Sequence, residues 1–160
     1  MKPVPPPYSP DRLFAIERVV QWGEADPAGI IYTTQFLDYV IETVEAFWRE
    51  QIGISWYHLH QRHNLGSPTV SSKLDFQKPI RAADPFTVEL RIPRLTRSTI
   101  TFHVVGRNAA GEGCFTGELV SCIIDDKAVR SVTIPDWIRE PIEAYRKATE
   151  QIPTGQEDLP

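Results

Sequence analysis

Cysteine is scarce in this chain of 160 residues, which carries two, Cys114 and Cys122. Both fall in one predicted strand, where eight steps hold them about 26 Å apart, too far to bridge each other. They read as reduced thiols of a cytoplasmic protein, and neither has the spacing of a metal ligand. Positive charge is not in excess either. Seventeen Lys and Arg stand against 21 Asp and Glu, a formal charge of −4, which argues against a nucleic-acid partner. A small anion on a local basic patch is still allowed. No run approaches the roughly 18 apolar residues of a membrane-crossing helix, so no membrane partner is expected. The opening MKPVPPPYSPDR has no apolar stretch of the kind that makes a secretory leader, which again points to the cytoplasm. No internal repeat is found.

What the chain does have is an ordinary globular balance, 41% hydrophobic and 24% charged, enough for one domain with a real core. Residues 1–11, rich in proline, read as a flexible arm. A strand is expected over 14–22, then a turn region over 23–29. From Tyr32 to Gln51 the apolar residues Phe36, Leu37, Val40, Ile41, Val44, Phe47 and Trp48 recur at helical spacing, with Gly53 as the stop. Residues 54–68 suit a short helix or loop. Beyond them the period becomes two, and strands are expected near 70–76, 88–92, 100–104 and 113–124, the last of them central because it is apolar on both faces. The connections after Pro85 are too short for a crossover helix, so the pairing is antiparallel. PDWIREPIEAYRKA suggests a last helix, and the domain is taken as 12–140, with 141–160 a C-terminal helix and frayed tail. One long helix wrapped by about five strands is an α+β fold. The sheet edge left open predicts a dimer or tetramer.

Asp26-Pro27-Ala28-Gly29 carries the signature of a type I turn. The helix that follows offers amides with no internal partner and a positive dipole end, a good seat for a carbonyl oxygen gaining charge. A carboxylate beside such a seat pairs a nucleophile with an oxyanion site. Other candidates have simpler explanations. Arg94 and Arg97 make a solvated basic turn, and Lys78 and Arg81 are weaker anion contacts. His58, His60 and His63 lack an acidic neighbour in sequence and read as surface residues, with no metal expected. His103 reads as a strand-face residue, and Ser67, Ser71 and Ser72 have no nucleophile-elbow context. Among the aromatics Trp22, Trp48 and Phe76 default to the core, while Trp56 and Tyr57 are kept as walls of a substrate pocket.

The stretch WGEADPAGIIYTTQFLDYVIETVEAFWRE, residues 22–50, resembles the 4-hydroxybenzoyl-CoA thioesterase family of hotdog-fold proteins. That family's hallmark is an aromatic-Gly-Asp-x-Asp-Pro-Ala-Gly strand end running through two hydrophobic residues and Tyr into a central helix. The resemblance implies a hotdog sheet around that helix and hydrolysis of an acyl-CoA thioester, an aromatic one favoured, with CoA present as part of the substrate and no other cofactor. It places the catalytic carboxylate at Asp26, as nucleophile or general base, and the carbonyl-polarising amide near Thr33, with Tyr32 adjacent. Gly29 would let the backbone approach the substrate. Thr69 and Ser71, after the helix, would orient water or the acyl group, often across a dimer interface. Arg94 and Arg97 would meet the CoA phosphates. Glu24 stands where the family often has Asp and receives no catalytic role. Two alternatives remain: a hotdog hydratase or dehydratase, which usually needs an Asp/His pair, and a non-catalytic acyl-CoA-binding module.

Overall fold

The structure is a computed structural model and describes residues 12–153. Residues 1–11, expected as a flexible arm, and the expected frayed end beyond 153 lie outside those residues. The first strand, β1 (Phe14–Val19), is shorter than the sequence pattern suggests. It stops because Trp22–Glu24 winds into a 3-10 turn closed by a reciprocal cap between Gln21 and Glu24. Helix α1 (Gln35–Phe47) follows, three residues later than expected, because Thr33 and Thr34 form a turn ahead of it. Its C-terminal end widens into a π turn over Trp48–Ile52 and stops at Gly53. Then come α2 (Trp56–His63), β2 (Leu65–Gly66) and β3 (Thr69–Phe76). The long strands β4 (Pro85–Leu95), β5 (Thr99–Asn108) and β6 (Gly113–Cys122) complete the main sheet. Short strands β7 (Ile124–Asp125) and β8 (Arg130–Ser131) precede α3 (Asp136–Thr149).

The five strands pair antiparallel in the order β1-β4-β5-β6-β3, with β2-β7-β8 as a second small sheet. β6 is interior, as its two apolar faces require, although β5 holds the middle. Helix α1 lies on the sheet because Phe36, Tyr39, Val40, Thr43, Val44 and Phe47 form one buried stripe. Each large side chain so buried contributes about 2–3 kcal/mol. The contact with β6 is close enough to need Gly117, where a Cβ would stand 2.5 Å from Val40 Cγ2. Phe36 packs on Phe115 with ring centroids 4.9 Å apart. Helix and strand therefore advance together from Phe36 over Phe115 to Val40 over Gly117. That register brings the π turn over the Ser121 end of β6.

Helix α3 closes the core at that same end and begins well before residue 141. Ile138, Ile142 and Tyr145 are buried, so the helix shares the domain's one core. Tyr145 meets Phe47 edge to face with centroids 4.9 Å apart, donates its hydroxyl hydrogen to the Leu90 carbonyl and accepts the Phe14 amide. No helix among the described residues is long and apolar enough to cross a membrane. The aromatics divide differently from the default. Trp48 is fully buried, whereas Trp22 is 87% and Phe76 51% exposed. Trp22 rides on the 3-10 turn rather than in β1, and Phe76 stands at the end of an edge strand.

Candidate active site

The chain leaves β1 and folds residues 24–32 into a small hairpin. Its rungs are the Ala25–Ile31 bridge, the Asp26 amide to the Ile30 carbonyl at 2.9 Å, and the Tyr32 amide to the Glu24 carbonyl at 2.8 Å. Asp26-Pro27-Ala28-Gly29 is the tip. The Gly29 amide donates to the Asp26 carbonyl at 2.9 Å, closing the expected turn. Gly29 has φ +76° and a Cβ there would meet open space, so it is the left-handed backbone that calls for glycine. The hairpin is docked on residues 80–82 through Ile31 to Ile80, Ala82 to Gly29 and a bridge between Ile30 and Arg81.

Asp26 is half-buried. One carboxylate oxygen, Oδ1, accepts the Ala28 amide at 2.8 Å. The second has no hydrogen-bond partner among the described residues. Tyr32 cannot supply the oxyanion donor through its backbone, because its amide is spent on Glu24, and its ring is exposed. The first amide after the hairpin without a backbone acceptor among the described residues is that of Thr33. Thr33 also lines a cavity of about 230 Å³ with Ile31, Phe36, Phe76, Lys78 and Ile80. Phe36 and Phe76 meet edge to face there, centroids 4.9 Å apart. The space is largely apolar and flanked by aromatic rings, and it opens beside the Thr33 amide in the turn that leads into α1. Two larger grooves exist, about 490 Å³ beside Arg18 and Phe86 and about 430 Å³ between α3 and β4. Neither is lined by Thr33 or Phe36, and none of the three is lined by Asp26 itself. The sequence pattern puts Phe36 in the buried stripe of α1 and Phe76 in the core, and neither at a cavity; the alternation of β3 marks the face of Phe76 but not that the strand ends over Phe36.

The remaining candidates sit elsewhere in the protomer. α1 and its π turn together hold thirteen plus five residues, a length of about 27 Å. Trp56 and Tyr57 lie beyond that far end. Tyr57 is exposed and packs on His58, so neither walls the cavity beside Thr33. Thr69 and Ser71 pair with Ser121 and Val120 and are about 23 and 16 Å along β3 from Phe76. The β4–β5 hairpin is at the same far end, with Leu95 opposite Ile100 and Ile100 opposite Ser121. Arg94 is exposed there, and Arg97 donates to Thr133 Oγ1 at 3.1 Å. One protomer thus brings none of these six residues to Asp26. Lys78 is paired with Glu112 at 2.5 Å, and the Arg81 backbone amide donates to Asp84.

The histidines also change their reading. His60 has an acidic partner after all: Asp126, from the loop beyond β7, at 2.5 Å. His63 lies against Trp137 with centroids 4.6 Å apart. His103 lies mid-strand opposite Arg91 and Glu118. No three His, Cys, Asp or Glu side chains among the described residues are grouped to hold a metal. Cys114 and Cys122 are free thiols, and burial pushes the Cys114 thiol above its ordinary pKa.

An antiparallel sheet wrapped on one long helix, with a carboxylate-bearing hairpin leading into that helix, defines a hotdog domain of the thioester-hydrolase class. Residues 20–142 match the family described as the thioesterase-like superfamily. A thioesterase-superfamily protein of Jannaschia sp. CCS1 is 31% identical, with a TM-score of 0.77 over 90% of this chain and 96% of its own. A Staphylococcus aureus protein solved in complex with CoA superposes with a TM-score of 0.82 at 19% identity, over 94% of this chain and 90% of its own, a likeness of fold. The 1,4-dihydroxy-2-naphthoyl-CoA hydrolase of Prochlorococcus marinus (strain MIT 9515) is 26% identical over 148 residues, covering 85% of this chain and 93% of its own. The chain belongs to the thioesterase-like superfamily and is a thioester hydrolase.

Proposed function

We propose that this protein hydrolyses an aromatic acyl-CoA thioester, with Asp26 as the reacting carboxylate. The observation that carries this reading is the open second oxygen of Asp26 on a hairpin that feeds directly into the free Thr33 amide and an aromatic-lined cavity. The thioester carbonyl would accept the Thr33 amide, just ahead of α1, whose positive N-terminal end stabilises the oxygen as it gains charge. Asp26 then attacks the carbonyl carbon or takes a proton from an attacking water. The C–S bond breaks, CoA leaves as the thiol, and water supplies the new oxygen of the free acid. The cavity's rings and the relative that acts on a naphthoyl-CoA both favour an aryl acyl group over a flexible chain. The histidines of α2, at the opposite end of α1, offer Asp26 no hydratase-type partner.

The working unit is proposed to be at least a dimer joined along β3. That strand is a sheet edge with Val70 60% and Phe76 51% exposed, the kind of edge that proteins otherwise cover or blunt. Two copies pairing antiparallel about a two-fold axis would set the Thr69 end of one strand beside the Phe76 end of the other. Thr69 and Ser71 of the partner subunit, with its Arg94 and Arg97 nearby, would then complete the pocket and meet the CoA phosphates. Release of free thiol from a panel of aroyl- and alkanoyl-CoA esters tests the reading. It should be fastest for hydroxylated aroyl esters, such as 1,4-dihydroxy-2-naphthoyl- and 4-hydroxybenzoyl-CoA. Binding without thiol release across the panel would reduce the protein to a carrier module.

A further inference from the structure

The best-bonded side chain around the hairpin is not Asp26 but Glu24, two residues before it. Its carboxylate accepts three hydrogen bonds, from the Gln21 amide at 2.7 Å, the Tyr39 hydroxyl at 2.9 Å and Arg18 Nη2 at 3.0 Å. Its carbonyl accepts a fourth, from the Tyr32 amide on the returning limb. Arg18 belongs to β1 and reaches with its other nitrogen to Glu42 on α1 at 2.6 Å, its guanidinium 5.4 Å from the Tyr39 ring centroid. Tyr39 is fully buried between Phe36 and Phe86. Its hydroxyl is held well above the ordinary tyrosine pKa, first by burial and then by the Glu24 carboxylate, so it stays protonated and donating. Glu24 is therefore the point where strand, hairpin and helix are tied together.

We propose that Glu24 is a positioning residue for Asp26: it locks the near rung of the hairpin to β1 and α1, and so fixes where the Asp26 carboxylate stands relative to the helix start. A short surface loop without such ties samples many positions, and a displacement of about 1 Å in a reacting group costs on the order of 100-fold in rate. The longer side chain of Glu suits this task. From the 3-10 turn it returns to the Gln21 amide and also reaches Tyr39 across the gap to α1. The proposal rests on the thioesterase reading above.

The test compares Glu24→Ala, Glu24→Gln and Tyr39→Phe with wild type on the best aroyl-CoA ester, together with amide hydrogen exchange. In Glu24→Ala, kcat should fall about 30-fold or more while KM stays within about threefold, since substrate contacts are intact. The Asp26 and Tyr32 amides should exchange at least about tenfold faster, although both of their acceptors are backbone carbonyls that the substitution leaves in place. Glu24→Gln keeps an acceptor for part of the network and should recover at least about a third of the lost activity on a logarithmic scale. Tyr39→Phe removes one donor and should reproduce the pattern more weakly; it carries the test should Glu24→Ala fail to fold. A kcat within about twofold of wild type in Glu24→Ala, or a rise in KM alone, overturns the proposal. Wild-type protein that releases no thiol would overturn the thioesterase reading instead. Unchanged exchange at Asp26 and Tyr32 in a folded Glu24→Ala protein would then still overturn the tie itself.

Discussion

The two ends of the central helix treat their polar groups in opposite ways. At the N-terminal end nearly every group is committed: Glu24, Arg18, Tyr39 and the hairpin amides are bonded to each other, and one Asp26 oxygen with the Thr33 amide stays open. At the C-terminal end Trp48 Nε1, the Gln51 amide, Trp56 Nε1 and the Ser67 and Ser121 hydroxyls are buried with no hydrogen-bond partner among the described residues. Such groups cost about 1–3 kcal/mol each when left dry, so ordered water is their ordinary partner. One end is tightly bonded around two open groups, the seat proposed for the reaction. The other holds Arg94, Arg97, Thr69 and Ser71, the contacts proposed for acyl-CoA, too far from Asp26 to meet the same substrate within one protomer. That difference is the ground for proposing a second copy: the residues the resemblance assigns to CoA and acyl contacts lie at the opposite end of α1 from Asp26 within one protomer.

The largest effect on this comparison should come from the β3 edge. Placing a charge there with Val70→Lys should turn dimers into monomers in sedimentation and lower aroyl-CoA turnover about tenfold or more, with the fold retained. Turnover that survives in a monomer would mean that one protomer's near end suffices. The next largest belongs to the hairpin tip. Gly29→Ala forces a side chain into φ +76° and should cost about 1–2 kcal/mol in urea unfolding, with kcat falling more than KM changes. At the cavity, Phe76→Ala should raise KM for aroyl esters about threefold and leave alkanoyl esters nearly unaffected. The smallest effect is at the far end and depends on pH. The Ala128 and Lys127 amides and Asn64 hold the half-buried Asp125 carboxyl below its usual range. A folded-state pKa lowered in this way adds stability above the ordinary carboxylate range and loses it as pH falls through the lowered value. Asp125→Ala should therefore lower Tm at pH 7 and leave it nearly unchanged near pH 2.

The near end was largely readable from local pattern. The stripe of α1, the alternation of the long strands and the Asp-Pro-Ala-Gly turn are short-range signals, and each appears where residue chemistry demands. Boundaries shifted where two local preferences competed: Trp22 joined a capped 3-10 turn rather than β1, and Thr33 and Thr34 turned before α1 could begin. What was not readable depends on partners distant in sequence. His60 meets Asp126 across 66 positions, and Glu24 looked like a spare carboxylate until Arg18 and Tyr39 surrounded it. Thr69 and Ser71 follow the helix in sequence as the resemblance requires. The direction of β3, which carries them away from the helix start, is set by pairing with β6 and is absent from any local pattern.

Asp26 is proposed to carry the chemistry, with its hairpin holding it in place. Asp26→Asn keeps the shape and an acceptor for the Ala28 amide while removing the charge. Free-thiol release from an aroyl-CoA ester, measured beside CoA binding by calorimetry, should show kcat reduced about 1,000-fold with CoA affinity and Tm close to wild type. Near-wild-type turnover in a folded Asp26→Asn protein would contradict the account.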